Sequence, residues 1–496
     1  MFLLKRQVAF SLILFAVTLC LGGFSILTNQ QLHYMGGMAE EYFDMAVSLY
    51  YRGKLSADSI GARVFRPPAY PFFIASVLRI WGGMPEEGEV FDSREDLEQK
   101  QQAAYNAICL AQCILLSFST VVLFLLMSRY MRLHSAFVLA FLFGCNPYLL
   151  ILCGLFHYGV FHIFLTVCSC YALSGFIDSR PEWYGIKMIL AGAIWGLTTL
   201  ARPMTLILPA FVFVMFLIKF KLSWRLGLKW SVLFTLGMAL VVAPNTIHNY
   251  YLTGRFVPVN AQGSTALWAG TVTKLQRSPN HFRWWGLWYK DGMAVFRKVT
   301  GAEEYSYSEY VNNIIEHGDE FRREAIKNLR LKPGVYCYNV FGNFITFNLD
   351  INSVFIKVFG AIQDRDVKID KGWFKVGHPQ DFYPSFEANA FKYYIYLLTL
   401  FGFAGVCIAA KQKDKSLLVA GLVYLCFCLA HCLTYMDLMY YYIKVPFLYI
   451  FTGYFINAFD RCFVKVPVVG WKISPAVVLG GLMIVYGVWL TAAIIL

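Results

Sequence analysis

Residues 103–127 read AAYNAICLAQCILLSFSTVVLFLLM, an unbroken run with no charged side chain. A helix of about 20 apolar residues crosses the hydrocarbon of a bilayer, so this run is long enough to span. Similar runs extend outward on both sides. A 20-residue window marks about eleven of them, at 7–28, 103–127, 135–153, 155–176, 187–201, 203–219, 230–248, 391–410, 416–434, 438–457 and 475–496. Arg202-Pro203 alone separates the fifth from the sixth, which also reads as one broken pair. The composition agrees: 58% of residues are hydrophobic and only 15% charged, against about 25% charged in an ordinary soluble chain. Mean hydropathy is +0.53. The chain reads as an all-α polytopic membrane protein, with a mixed outer-face domain between its spans.

The net charge of +13 does not point to nucleic acid. Many of the cations lie in short connections, such as Lys5 and Arg6, Arg129 and Arg132, Lys219 to Lys229, and Lys411 to Lys415. Eleven spans put all of these on one side, which the positive-inside rule makes cytoplasmic, with the N-terminus. Two long segments then fall outside, 29–102 and 249–390. The expected organisation is an N-terminal transmembrane module 1–248 carrying the first outer loop, an outer-face domain 249–390, and C-terminal helices 391–496. Residues 69–81 are apolar but too short to span, and read as an interfacial or re-entrant helix. Trp284, Trp285 and Trp288 in the second outer segment suit either an interfacial anchor or a sugar-stacking platform. The thirteen cysteines lie mostly within apolar runs and form no CxxC pair, so they read as small hydrophobes.

No Walker motif, GxGxxG, HExxH or nucleophile elbow occurs, which removes nucleotide-driven chemistry and the common hydrolase schemes. The first outer segment instead offers Glu40-Glu41-Tyr42-Phe43-Asp44, followed by Arg63 and Arg66 running into Pro67-Pro68-Ala69-Tyr70-Pro71. Carboxylates at a membrane surface can accept a proton from a hydroxyl or amine, or hold a divalent ion. Arginines beside them can clamp phosphate oxygens. The same cluster also reads as a solvated acidic turn.

Tyr42-x-x-x-Ala46-x-x-Leu49-x-x-x-Gly53 with Arg66-Pro67-Pro68-Ala69-Tyr70-Pro71 resembles the first outer loop of GT-C membrane glycosyltransferases. The branch is that of the dolichyl-phosphate-mannose-protein mannosyltransferases and the lipid A aminoarabinose transferase. Ala191-Gly192-x-x-x-Gly196-Leu197-x-x-Leu200-x-Arg202-Pro203 is similar to the family's span ending in Arg-Pro. Pro244-Asn245 to Asn249-Tyr250 and Gly254-Arg255-Phe256-Val257-Pro258-Val259 look like the start of its second outer loop. Arg322-Arg323-Glu324-Ala325 and Lys332-Pro333-Gly334 fit the helix closing that loop. The resemblance covers residues 1–340 loosely.

It implies transfer of a sugar from a polyprenyl-phosphate carrier to a lipid, glycan or protein acceptor at the outer face, usually with inversion. An acid of the first loop then activates the acceptor, and cations neutralise the leaving phosphate. Glu41, then Glu40 and Asp44, are the catalytic candidates, and Arg66, Arg202, Arg255 and Lys444 the phosphate ligands. Tyr42, Tyr70, His157 and Tyr158 are further cavity candidates. No cofactor follows beyond the lipid-linked donor, and a divalent cation is left open. The sequence departs from the family at Met38, where an acid is usual, at Tyr158, where a Glu is usual, and at Met439-Tyr440-Tyr441, which replaces Arg-Tyr-Arg. Those departures keep a catalytically degenerate scaffold in play beside a lipid or oligosaccharide transporter. The outer segments hold no Asn-x-Ser/Thr sequon, which leans toward a bacterial inner membrane.

Overall fold

A computed structural model describes residues 2–28, 38–56, 64–84, 94–177, 184–220, 223–271, 277–278, 281–282, 297, 301, 314–349, 386–411, 417–434, 438–462, 466–468 and 471–473. The chain is helical nearly throughout that part. In order it forms α1 (Phe2–Thr28), α2 (Met38–Arg52), α3 (Ala69–Trp81), α4 (Arg94–Met127), α5 (Leu133–Gly144), α6 (Pro147–Cys153), α7 (Gly159–Ile177) and α8 (Tyr184–Ala201). A 3-10 turn, Pro203–Ile207, leads into α9 (Leu208–Lys219), then α10 (Trp224–Thr253), α11 (Gly263–Thr271), α12 (Gly318–Leu331), α13 (Pro333–Leu349), α14 (Phe386–Lys411) and α15 (Leu417–Leu433). A second 3-10 turn, Leu438–Lys444, opens α16 (Val445–Cys462). The described strands are two small antiparallel hairpins, Arg277–Ser278 with His281–Phe282 and Val466–Val468 with Trp471–Ile473.

Every expected span from 7–28 to 438–457 coincides with described helix, and 475–496 lies outside the described residues. Among the described residues, six helices are long and apolar enough to cross a membrane, or seven if the pair α5–α6 counts as one span. The number eleven is therefore not established, while the all-helical, many-spanning class is.

Local chemistry explains the breaks. The run 135–153 is one apolar stretch in sequence but bends by 51° between α5 and α6. Asn146 sits in the bend with extended backbone, and its side-chain oxygen accepts from the N–H groups of Tyr148 at 3.1 Å and Leu149 at 3.4 Å. Pro147 takes the first helical position, where it costs no hydrogen bond. The short run 69–81 is indeed a helix, closed by Gly82 at φ +72°, a conformation that Gly adopts without strain.

The helices α8 and α10 approach closely because Gly192 and Gly237 carry no side chain. A Cβ at Gly192 would lie 2.0 Å from the Phe234 carbonyl oxygen, and one at Gly237 2.0 Å from that of Ile189. Such small residues let two backbones pack in a membrane, where apolar surface alone does not drive association.

The segment expected to form an outer-face domain includes α13, which lies antiparallel along α15. Tyr336 Oη donates to the Leu433 carbonyl at 2.8 Å, Asn343 Nδ2 to that of Cys432 at 3.2 Å, and Tyr424 Oη to Asn348 Oδ1. The helix thus starts at one end of α15 and finishes well along it.

Candidate functional site

Three elements deliver the site. The helix α2 carries Glu41 and Tyr42 on its buried face, the bent segment 64–68 brings Arg66, and α3 opens with Tyr70. Arg66 donates through Nε to Glu41 Oε2, and both side chains are buried. Burying either charge alone is costly, so each holds the other in place. The Arg66 segment is stapled from a distance. The Val64 carbonyl accepts from the Ala261 N–H at 3.0 Å, and the Phe65 carbonyl accepts from Asn260 Nδ2 at 3.0 Å.

Tyr42, Tyr70 and Tyr158 form a buried triangle of edge-on rings. Their centroids lie 5.4 Å (Tyr42–Tyr70), 5.6 Å (Tyr42–Tyr158) and 6.3 Å (Tyr70–Tyr158) apart. Edge-to-face packing of this kind suits the ring quadrupoles. The Arg66 guanidinium lies 5.9 Å from the Tyr42 ring centre on one side of the triangle. On the other side the Arg202 guanidinium stacks 4.0 Å over the Tyr158 ring and donates through Nη2 to its hydroxyl. Arg202 reaches this place because the chain breaks there: its backbone is extended (φ −153°, ψ 116°) between α8 and the Pro203 turn. Burial pushes the Tyr70 phenol well above its ordinary range, so it remains a neutral donor, to Gln112 Oε1 at 3.1 Å. Gln112 in turn donates to the carbonyls of Cys153 at 3.0 Å and Leu155 at 2.8 Å, tying α4 to the loop that presents Tyr158.

His157 and Tyr442 complete the cluster. His157 Nδ1 accepts from the Gly159 N–H at 3.0 Å, which leaves the neutral ring's proton on Nε2. Its ring lies 4.3 Å from that of Tyr158, and Tyr442 packs 5.9 Å from Tyr158. Tyr442 also meets His162 Nδ1 at 3.0 Å through its hydroxyl.

The expected site residues thus divide. Glu41, Tyr42, Arg66, Tyr70, His157, Tyr158 and Arg202 come together. Asp44 is half-buried one turn along α2 from Glu41, and the side chain of Glu40 lies outside the described part of the chain, as do Trp284, Trp285 and Trp288. Arg255 is exposed and donates to the Ile315 carbonyl at 2.9 Å, apart from the other two arginines in hydrogen bonding. Lys444 is buried, 1% exposed, and its ammonium donates to the carbonyls of Phe347 at 2.7 Å and Asn348 at 3.2 Å, with the Tyr441 ring 4.3 Å away. It neutralises the carbonyl end of α13, where the helix dipole is negative. An intramembrane lysine does signal function or structure by default, and here its partner is a helix terminus. Gln112, Tyr442 and Asn260 had no part in the sequence reading of the site. A lone glutamine within an uncharged span was the signal available for Gln112. Among the described residues no three His, Cys, Asp or Glu side chains gather as metal ligands.

The chain has the fold of an oligosaccharyltransferase from Archaeoglobus fulgidus, solved with an acceptor peptide tethered by a disulfide, at a TM-score of 0.52 and 13% identity. The match covers 98% of this chain and 54% of that one, so this chain spans about half the length of the archaeal protein. ArnT from Cupriavidus metallidurans is a looser match: 13% identity and TM-score 0.37 with undecaprenyl phosphate bound, over 98% of this chain and 84% of that one. In its apo state the values are 14% and 0.33, over 92% and 77%. No protein-family model and no curated protein matches the chain. The fold shared with the archaeal protein is GT-C, and the described helices long and apolar enough to cross a membrane make the chain an integral membrane protein.

Proposed function

We propose that the chain is a membrane glycosyltransferase that moves a sugar from a polyprenyl-phosphate carrier to a lipid, glycan or protein acceptor, with inversion. The observation that carries this reading is the buried Glu41–Arg66 pair with Arg202 across the Tyr42–Tyr158 contact, in a GT-C fold. In the reaction the acceptor hydroxyl or amine attacks the anomeric carbon while Glu41 takes its proton. The bond from that carbon to the phosphate oxygen breaks, and the polyprenyl phosphate leaves with the electron pair. Arg66 and Arg202 stabilise the negative charge that develops on it. A phosphate needs no general acid to leave, so one carboxylate suffices. Before donor binds, Arg66 holds Glu41. A donor phosphate drawing Arg66 away frees the carboxylate only when the donor is present.

The basic connections support a cytoplasmic N-terminus with segments 29–102 and 249–390 on the far side, and the lack of Asn-x-Ser/Thr sequons in those segments leans toward a bacterial inner membrane. The three-part organisation 1–248, 249–390 and 391–496 belongs to the same proposal. The test is incubation of purified protein with radiolabelled polyprenyl-phosphate sugars. Transfer or release of sugar is expected. Carrier movement without cleavage identifies a transporter, and neither outcome leaves a scaffold. Repeating the assay with a chelator decides whether a divalent ion is required.

A further inference from the structure

Helix α13 is built inside out. Asn339 and Asn343 (1% exposed) face the protein, donating to the carbonyls of Gly270 at 3.1 Å and Cys432 at 3.2 Å. Tyr338, Phe341 (64% exposed), Phe344 and Ile345 face outward. In water that arrangement is unfavourable, because it exposes large apolar rings and buries the amides. Against lipid it is the stable one. Its rungs along α15 run from Tyr336, bonded to the last residue of that apolar helix, to Asn348 beside Tyr424. Between these rungs α13 advances twelve residues, about 18 Å, and α15 nine, about 14 Å, which is roughly half of a ~30 Å hydrocarbon layer. With 416–434 read as a span, α13 re-enters the membrane from the far side as part of segment 249–390, its start lies at the boundary, and α12 immediately precedes it.

The outer face of α12 is a shallow groove lined by Arg323, Ile326, Lys327, Arg330 and Leu331. These positions recur at i, i+3, i+4, i+7 and i+8, one face of the helix. The opposite face is anchored: Phe321 and Ala325 are buried, with the Phe321 ring 5.5 Å from that of Trp268. Arg323 and Lys327 lean on Glu320 at 3.2 Å and Glu324 at 3.6 Å. Those exposed pairs are weak and exchangeable. Arg330 has no acid within one turn, its neighbours being Ile326, Lys327, Pro333 and Gly334, and Lys332 beside it is exposed. Leu331, 67% exposed, and Ile326 give the groove an apolar edge facing the same way.

We propose that this groove binds the phosphate headgroup of an anionic membrane lipid, with the acyl chains running down the aromatic face of α13. Cations at headgroup level above an apolar surface match that chemistry and no neutral lipid's. The proposal does not depend on the glycosyltransfer reading.

The test is native mass spectrometry of the full chain in detergent, titrated with phosphatidylglycerol or phosphatidylcholine. The wild type should retain a phosphatidylglycerol that the triple variant Arg323→Gln/Lys327→Gln/Arg330→Gln binds on the order of a hundredfold more weakly, at about 1 kcal/mol per removed cation. Phosphatidylcholine binding should not change, and Arg322→Gln, paired with Asp319 at 2.9 Å, should behave as wild type. All four side chains are exposed, so the variants should fold. In the wild type itself, raising salt should release phosphatidylglycerol alone. Equal retention by wild type and triple variant overturns the proposal. So does a parallel loss of phosphatidylcholine, which marks a merely apolar seat. Displacement by millimolar inorganic phosphate also overturns it, since the groove then takes a free anion.

Discussion

Arg66 and Glu41, 25 residues apart, meet in a buried ion pair through Nε and Oε2. The pair ties α2 to the bent segment before α3, and it sets the guanidinium 5.9 Å from the Tyr42 ring centre. In the proposed reaction, function and stability therefore meet at Glu41.

Glu41→Gln keeps the volume and an acceptor oxygen but removes the proposed base. Sugar transfer should fall by about 10²–10⁴-fold with donor affinity retained. Glu41→Ala, which strands a buried guanidinium, should also lose about 3–5 kcal/mol of stability. Transfer kinetics with radiolabelled donor and a denaturation curve separate the two effects. Wild-type transfer by Glu41→Gln would remove the base assignment and turn attention to Glu40.

Arg202 and Arg255 should differ. Arg202→Lys keeps the charge but loses the flat guanidinium stacked on Tyr158, so polyprenyl-phosphate binding should weaken by roughly 10–100-fold. Arg255→Gln touches an exposed contact and should shift stability by no more than about 0.5 kcal/mol, with binding unchanged. Isothermal binding of the lipid phosphate to both variants checks this. A larger loss at Arg255 would restore it to the phosphate site.

Lys444→Met leaves the Phe347 and Asn348 carbonyls without their buried donor and should cost about 1–3 kcal/mol. Lys444→Arg retains a cation and should recover most of that loss. If Lys444→Met keeps full stability but loses lipid-phosphate binding, the lysine serves the donor and not the helix end.

At the α8–α10 crossing, Gly192→Leu or Gly237→Leu forces apart backbones that a single Cβ would already meet at 2.0 Å. A loss of about 3 kcal/mol or more is expected, seen as a lowered melting temperature. Gly185→Ala, with nothing within 4 Å of the added carbon, is the matched control and should be near neutral.

The sequence by itself determined the class of the protein and much of the helix inventory. Hydrophobic length is a one-dimensional property: a run such as 103–127 has no alternative to a helix in lipid, because every backbone group must be satisfied within it. The acid and the arginines of the first segment were legible for a related reason, since charges beside apolar spans are rare and conspicuous. Partner choice was not legible. That Arg66 takes Glu41, that Arg202 stacks on Tyr158, and that Lys444 closes α13 depend on which elements lie side by side, and the residues of each pair are separated by 25, 44 and 97 positions. The fate of α13 was decided the same way. Its asparagines look like loop chemistry until Gly270 and Cys432 supply the carbonyls they donate to. Only tertiary packing brings such groups within hydrogen-bond range, and a buried polar group is stable only where that range is met.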